Sequence, residues 1–210
     1  MISRPTTALC ATGALVALLA PSGGLGAAPN VYRVQLDGDE TVEQVRIERR
    51  RCKDTAPCTR VAVRDGSRRA ALTPISQRPG NRYNWQVSKV QFHDLTADGQ
   101  PEIVWTLGTV GGTGSSPVRT GVHTWDGKRA KQIFEHDNGK AAEPGYARVT
   151  AVRARVLEEE GELPELELRE SLDTPKDATC CPSAYRYTRY RWDGAQLALI
   201  AGSKRIQKKG

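Results

Sequence analysis

The sequence predicts an all-β protein built from about three antiparallel meander repeats of roughly sixty residues each. Strand-like alternation recurs along the chain, and no segment sustains the 3.6-residue apolar period of a helix. Glycine and proline punctuate the chain throughout, as turns between short strands require. A carboxylate-rich turn and an Asp-Gly turn return in the same order three times. Such a period, with several strands per unit, favours a partial propeller or stacked sheets.

The first 28 residues have the pattern of a signal peptide. Arg4 gives a basic start, residues 9–20 are apolar and alanine-rich, and Ala27 and Ala28 offer a small-residue cleavage site. The apolar segment is shorter than the ~20 residues that a membrane helix needs. No second apolar span follows. We therefore expect a secreted or periplasmic bacterial protein with no membrane span after cleavage.

The predicted mature part is a single all-β domain over residues 29–205, followed by a basic tail at 206–210. Its length fits the usual domain size of ~100–200 residues. The full chain has 31 Lys and Arg against 24 Asp and Glu, a net charge of +7. This surplus is dispersed, and no nucleic-acid-binding motif accompanies it. The basic charge therefore predicts solvated strand faces and no nucleic-acid partner.

Four cysteines remain once Cys10 leaves with the leader, an even number that predicts disulfides in an oxidising compartment. Cys52 and Cys58 flank a turn-like insert, which favours a bridge between them. Cys180 and Cys181 would then form a vicinal bridge or stay reduced. Two cross-links between the first and last thirds of the chain are the alternative, because four cysteines allow three connectivities. Zinc is disfavoured, since no histidine stands at ligand spacing near these cysteines.

The first repeat is predicted to hold three strands, at residues 31–36, 42–51 and 58–64. An Asp-Gly-Asp turn at 37–39 separates the first two strands. Asp65-Gly66 follows the third, and Asp-Gly between strand-like segments is the strongest short hairpin signal.

The second and third repeats follow the same order. The second has predicted strands at 86–92, 103–107 and 120–125, and the third at 147–157, 163–169 and 185–192. Their acidic turns lie at 94–102 and 158–162, and their Asp-Gly turns begin at Asp126 and Asp193. Glu43, Glu102 and Glu165 end the three acidic turns in steps of 59 and 63 residues, and the Asp-Gly turns step by 61 and 67. This ordered agreement of two markers indicates a real repeat.

The second acidic turn predicts a calcium site. Oxygen-bearing side chains stand at positions one, three, five and nine of the turn, and Gly99 at position six allows a tight bend. Alternate oxygens on such a loop can converge on a cation that accepts six to eight ligands. Trp105 occupies position twelve, where an EF-hand needs glutamate, so the turn is not an EF-hand. The predicted ligands are Asp94, Thr96, Asp98 and Glu102.

The first turn is a weaker version of the same pattern. It offers Asp37, Asp39 and Glu43 as ligands, but Gln35 stands where the first acid belongs. The third turn keeps only Glu159 and Glu165 in register. The alternative for every turn is that the carboxylates only accept backbone N–H bonds and hold the bend.

The segment DLTADGQPEIVW resembles the turn of FG-GAP and VCBS repeats, the β-propeller blade units of integrin α-chains and many secreted bacterial proteins. The resemblance implies calcium on loops between blade strands, and binding or adhesion rather than chemistry. Thr96 replaces the middle aspartate of the pattern, which implies weak affinity. Three units are too few for a closed propeller of ~4–8 blades. We therefore expect an open stack, or closure by self-association with another subunit.

The ending CCPSAYRYTRYRWDGAQLALI is similar to that of small exported bacterial proteins and lipoproteins of unassigned role, which gives a fold cue and no activity. Within it, Tyr185 and Tyr187 share a strand face, as do Tyr190 and Trp192. The change of parity between the pairs predicts a bulge. We expect a core aromatic stripe with a solvated basic face.

No catalytic motif is present. Ser115 and Ser116 lie in a glycine-rich loop that does not match the G-x-S-x-G elbow, and the loop lacks the lysine of a phosphate loop. We expect a non-catalytic exported module that binds a protein or glycan at the cell envelope. The alternatives are an exported hydrolase of envelope polymers, with acidic-turn residues as catalysts, and a small disulfide-bonded enzyme inhibitor.

Overall fold

The protein is all-β, as predicted. A computed structural model describes residues 31–51, 57–73, 84–110, 119–137, 143–177 and 181–209, and every regular element within these ranges is a strand. The strands are β1 (Val31–Val34), β2 (Glu43–Arg51), β3 (Pro57–Asp65), β4 (Arg68–Ala71), β5 (Asn84–His93), β6 (Glu102–Val110), β7 (Arg119–Trp125), β8 (Ala130–Asp137), β9 (Arg148–Leu157), β10 (Glu165–Asp173), β11 (Ala184–Trp192), β12 (Leu197–Leu199) and β13 (Arg205–Lys208).

These strands form three antiparallel sheets that follow one another along the chain. The first sheet has the order β1-β2-β3-β4 and the second β5-β6-β7-β8. The third has the order β12-β11-β10-β9, and β13 also pairs with β11. Strands that follow one another in sequence pair within each sheet, as in an antiparallel meander, except that β13 pairs with β11 and not with β12. The prediction of three meander repeats is confirmed.

The repeat markers occupy equivalent places in the three sheets. Each acidic turn joins the first and second strands of its sheet, and each Asp-Gly turn joins the third strand to the fourth. Gly38 and Gly99 in the first two acidic turns have φ of +77° and +88°, which L side chains rarely adopt. The glutamate that ends each turn begins the second strand and lies opposite the last residue of the first strand, in the pairs Val34–Glu43, His93–Glu102 and Leu157–Glu165.

The sheets are stacked, with the second sheet in the middle. One buried apolar cluster contains side chains of the first two sheets, among them Leu36, Val45 and Val63 with Trp105 and Trp125. A second cluster contains side chains of the second and third sheets, among them Val104, Val122, Phe134, Leu166 and Leu168. The middle sheet is therefore covered on both faces.

The unbroken apolar run in β6 follows from this arrangement. Ile103, Trp105 and Leu107 belong to the cluster shared with the first sheet, whereas Val104 belongs to the cluster shared with the third. A strand buried on both faces has no solvent side, so its sequence does not alternate.

The predicted bulge in β11 is wrong. The register between β10 and β11 is regular over the whole pairing. Tyr190 and Trp192 pack against the apolar cluster of the third sheet, whereas Tyr185 and Tyr187 lie on the opposite face. The change of parity therefore reflects two faces of one regular strand. Arg186 shares the core face and is 5% exposed, so the basic residues of β11 are not all solvated.

The predicted basic tail at 206–210 is part of the sheet over its first residues. Arg205–Lys208 forms β13 and pairs with β11 from Ala184 to Tyr187. The segment has one apolar residue, Ile206, and therefore no apolar alternation that would predict a strand; all four of its side chains are exposed.

Several predictions fall outside the described residues. The signal peptide at 1–28 lies there, as do Cys52 and Cys180. Cys181 is exposed at the start of the segment that leads into β11. The disulfide pairings of Cys52, Cys58, Cys180 and Cys181 therefore stay predictions. In the described part of the chain, no helix has the length and hydropathy of a membrane span.

Candidate metal centre in the first acidic turn

Three carboxylates converge in the turn between β1 and β2. Asp37, Asp39 and Glu43 each place one oxygen within 4.8 Å of the other two. Among the described residues, no other set of three acidic, histidine or cysteine side chains comes together in this way. Oxygen ligands at this spacing suit a hard divalent cation.

The backbone of this turn is shaped by Gln35. Its Oε1 accepts the N–H groups of Asp37 (2.9 Å) and Gly38 (2.7 Å), and its Nε2 donates to the carbonyl oxygen of Thr41 (3.0 Å). One neutral side chain thus ties both sides of the turn together. Within the turn, Oδ1 of Asp37 also accepts the N–H of Asp39 at 3.2 Å.

Thr41 fixes the carboxylate of Asp39. Oδ1 of Asp39 accepts the backbone N–H of Thr41 (2.6 Å) and its hydroxyl (2.7 Å). These hydrogen bonds lower the pKa of Asp39 below its usual value. Asp39 is therefore ionised and available to a cation at neutral pH.

Glu43 closes the cluster from the buried side. Its side chain is fully buried, and Oε2 accepts the N–H of Leu36 at 2.7 Å. Burial raises the pKa of Glu43, and the nearby charges of Asp37 and Asp65 raise it further. A cation at this position would offset that repulsion, because an opposite charge favours the ionised form.

The site lies where the first and second sheets meet. Gln100, in the second acidic turn, donates from Nε2 to the carbonyl oxygen of Asp37 at 3.0 Å. A Cβ built on Gly127, in the Asp-Gly turn of the second sheet, would lie 2.6 Å from Oδ2 of Asp37, so the two turns approach each other closely. Arg68 donates to the carbonyl oxygen of Gly127 at 2.7 Å. The first turn is thus held against the second sheet, although all three candidate ligands belong to the first turn.

The second turn uses its carboxylates differently. Oε2 of Glu102 accepts the N–H groups of Leu95 (2.7 Å) and Thr96 (3.2 Å), and Oε1 accepts the Thr96 hydroxyl (3.2 Å). Burial raises the pKa of Glu102 to about 7. Asp94 accepts the N–H groups of Asp98 (3.1 Å) and Gly99 (2.9 Å). These hydrogen bonds match the alternative stated for every acidic turn, in which the carboxylates accept backbone N–H groups and hold the bend.

At two aligned positions, each of these turns has an acidic residue where the other has a neutral one. Gln35 and Asp94 stand at position one, and Asp37 and Thr96 at position three. Threonine at position three removes the middle carboxylate, and Asp94, Asp98 and Glu102 do not come within 4.8 Å of one another. Calcium at the second turn stays a prediction. The converging geometry is found in the turn whose sequence matches the repeat pattern less well.

In the third turn, arginines neutralise the carboxylates. Glu165 forms ion pairs with Arg189, at 3.4 Å, and with Arg191. Arg191 also lies 3.0 Å from Glu162. Two guanidinium groups thus supply the positive charge that a cation would bring.

The three histidines lie away from this cluster. His123 is buried, and its Nδ1 accepts the indole N–H of Trp105 at 3.0 Å. Burial lowers the pKa of His123 to about 4, so its ring is neutral. His136 lies 2.9 Å from the buried carboxylate of Glu170, and His93 lies 3.4 Å from Glu158. The candidate ligand set is made of oxygen alone.

Comparisons of this chain with protein-family models, with curated proteins and with solved structures find no match.

Proposed function

We propose that this chain is an exported, non-catalytic binding module whose first acidic turn holds calcium, and which engages a protein or glycan at the cell envelope. The observation that carries the metal site is the convergence of Asp37, Asp39 and Glu43 within 4.8 Å. The resemblance of the second turn to FG-GAP and VCBS repeats supports the binding role. The signal-peptide pattern at 1–28 supports export.

Calcium is the favoured ion because of the donor set and its setting. The three side chains offer only carboxylate oxygens, which suit magnesium and calcium rather than zinc or copper. The turn is partly exposed, with Glu43 buried, Asp37 half-buried and Asp39 open to solvent. Magnesium demands near-ideal octahedral geometry, whereas calcium accepts irregular oxygen cages. Three protein ligands imply an affinity in the range of extracellular modules, ~10⁻⁴ to 10⁻³ M.

Thermal unfolding with calcium and with EDTA tests the metal site. A ligand that binds only the folded chain stabilises it by RT ln(1 + [L]/Kd), about 1.4 to 2.7 kcal/mol at 10 mM calcium for this affinity range. We expect a Tm increase of a few degrees, which Asp39→Asn abolishes.

Asp193→Asn is the matched control for that experiment. Asp193 is also an exposed turn aspartate that accepts backbone N–H groups, from Ala195 and Gln196, but it lies in the third sheet. The calcium shift should survive in this variant. An equal shift in both variants would place the ion elsewhere, and no shift in the parent chain would remove the site.

A further inference from the structure

The outer face of the third sheet is strongly basic. Paired residues of antiparallel strands share a face. The pairing of β9, β10, β11 and β13 places one set of charged side chains on the face opposite the apolar cluster. The set contains six arginines and two glutamates, in the list Arg153, Arg155, Arg169, Arg189, Arg191, Arg205, Glu165 and Glu167.

One row across this face contains arginine without any acid. Arg153 lies directly opposite Arg169, Arg169 opposite Tyr187, and Tyr187 opposite Arg205. Like charges directly opposite each other destabilise a sheet. The Arg153–Arg169 pair is therefore unfavourable in the free protein, and an anion would relieve the repulsion.

The nearest acid does not neutralise the row. Glu167, only 1% exposed, lies 2.8 Å from Arg155, 3.3 Å from Arg189 and 3.6 Å from Arg205. Three guanidinium groups thus surround the carboxylate of Glu167, and of these Arg189 also pairs with Glu165 at 3.4 Å. The face thus keeps a surplus of positive charge beside the row.

Two tyrosines hold the arginines in place. The guanidinium of Arg169 lies 4.6 Å from the ring centre of Tyr185, and that of Arg205 lies 4.3 Å from the ring centre of Tyr187. Stacking on a ring reduces the freedom of a guanidinium and leaves its N–H edge open to an oxyanion.

A cavity of about 720 Å³ opens at the β9 edge of this face. Arg153, Arg155, Arg169 and Arg205 line it, and Lys89 approaches from β5 in the second sheet. A cavity of this volume is within the size range of small-molecule sites, so it has room for one or two sugar units.

We propose that this face binds an acidic polysaccharide through the oxyanion groups of its sugar units. Planar guanidinium forks pair bidentately with such groups, which matches the arginine row. The inference rests on the proposed binding function, for which it names the class of partner. It does not depend on calcium, because the face and the first acidic turn lie on different sheets.

A nucleic acid fits this face less well. Single-stranded nucleic acid is held by bases stacked on open aromatic rings. Here the rings of Tyr185 and Tyr187 are covered by the protein's own arginines. The face therefore presents charge and no stacking platform.

A second copy of the chain also fits less well. The outer face of the first sheet is the other open face of the stack. Among the residues whose side chains the structure describes, it carries five arginines and one glutamate, namely Arg33, Arg46, Arg60, Arg64, Arg69 and Glu48. Docking it onto the third sheet of another copy would bring like charges together.

Binding of fluorescent polygalacturonate oligomers, measured by anisotropy in low salt with EDTA, tests the inference. The triple variant Arg153→Gln, Arg169→Gln, Arg205→Gln should lose about tenfold or more in affinity, since each lost contact is a charge-assisted hydrogen bond. The control triple Arg33→Gln, Arg46→Gln, Arg64→Gln removes the same charge from the first sheet. It should stay within about twofold of the parent, apart from long-range screening.

Equal losses in the two triple variants would show attraction to net charge alone and overturn the proposal. So would equal binding of neutral dextran, or tighter binding of a 20-base-pair DNA duplex. If the triple variant does not fold, Arg153→Glu reverses one exposed charge and should still weaken binding about threefold or more. A parent chain that shows a calcium-dependent Tm but no polygalacturonate binding would lose this inference and keep the proposed metal site.

Discussion

Glu43 and Glu102 accept the same hydrogen bond in two successive sheets. In each case Oε2 lies 2.7 Å from the N–H of the leucine seven residues earlier, Leu36 or Leu95. Both glutamates are almost fully buried, and burial raises the pKa of both. The glutamate of the acidic turn therefore stabilises the turn without an ion, and the proposed metal site of the first turn uses the same glutamate.

Glu102 should make stability depend on pH. Its pKa is raised to about 7 from 4.5, so between these pH values the folded chain holds a proton that the unfolded chain has released. Stability therefore falls as pH rises through this window. Relative to the parent, Glu102→Gln should gain as much as about 3 kcal/mol between pH 4.5 and 7.5 in urea unfolding. Glu159→Gln, which removes an exposed carboxylate of the third turn, is the control for the loss of one glutamate.

His123 should oppose this effect in the same window. Its pKa is lowered to about 4 from 6.5, so between these values the unfolded chain holds a proton that the folded chain lacks. Stability contributed by the neutral ring is lost as pH falls from 6.5 to 4. The two slopes largely cancel in the parent, and Glu102→Gln should therefore reveal a stability that rises with pH. A difference between Glu102→Gln and the parent that does not change with pH would contradict the buried, raised carboxyl.

Thr96→Asp should build the missing carboxylate into the second turn. Thr96 stands at the position of Asp37, and its hydroxyl lies 3.2 Å from Glu102. Without calcium the added charge beside a buried carboxylate should lower the Tm by a few degrees, because like charges repel. Calcium should restore the Tm and enlarge the calcium shift beyond that of the parent. Ala97→Asp adds the same charge one residue away, at a left-handed position with φ of +58° that aspartate tolerates, and should not enlarge the shift.

Arg186→Gln should destabilise the third sheet. Nη2 of Arg186 donates to Oε1 of Glu170 at 2.7 Å, and both side chains are buried. Burial alone would raise the pKa of Glu170, and hydrogen bonds from His136 and Arg186 hold it below its usual value. Removing the arginine leaves a buried carboxylate without its guanidinium partner, at a cost of about 3–5 kcal/mol. The double variant Arg186→Gln, Glu170→Gln should recover part of this loss in chemical denaturation, and a double variant no better than the single one would argue against the pairing.

Gly121→Ala should disrupt the cluster between the first two sheets. A Cβ at this position would lie 2.2 Å from Cζ2 of Trp105, a fully buried ring. Moving that ring should cost about 1–3 kcal/mol or more, as overpacking of a core does. In β6, a Cβ on Gly108 would lie 4.0 Å from the nearest described atom, Cβ of Ser88, so Gly108→Ala should change the denaturation midpoint little. Similar midpoints for the two variants would contradict the close approach of Trp105 to β7.

The repeat was predictable from the sequence because its turns depend on the residue types at a few neighbouring positions. Asp-Gly pairs and the glycines of the acidic turns mark positions with positive φ, which few other residues adopt. Apolar alternation and the apolar run at Ile103–Leu107 predict the strands. The stacking of the sheets explains why that run is buried on both faces.

Three features depended on distances that the sequence does not contain. Arg186 faces the core because Glu170 on β10 and Glu143 are there to pair with it, which strand alternation alone does not show. Asp37 meets Asp39 and Glu43 through the path of the turn, whereas the better sequence match, the second turn, lacks the middle acid. The pairing of β13 with β11 was not predictable, because β13 has no buried apolar side chain that would mark it as a strand.

The middle position of the second sheet decides which pieces of the chain can fold alone. That sheet contributes side chains to both buried clusters, so a fragment without β5 to β8 would contain neither cluster complete. A fragment without β1 to β4 would keep the cluster of the second and third sheets, and one without β9 to β13 would keep the other. Truncation from either end should therefore leave a foldable two-sheet remnant, whereas deletion from the centre should leave none.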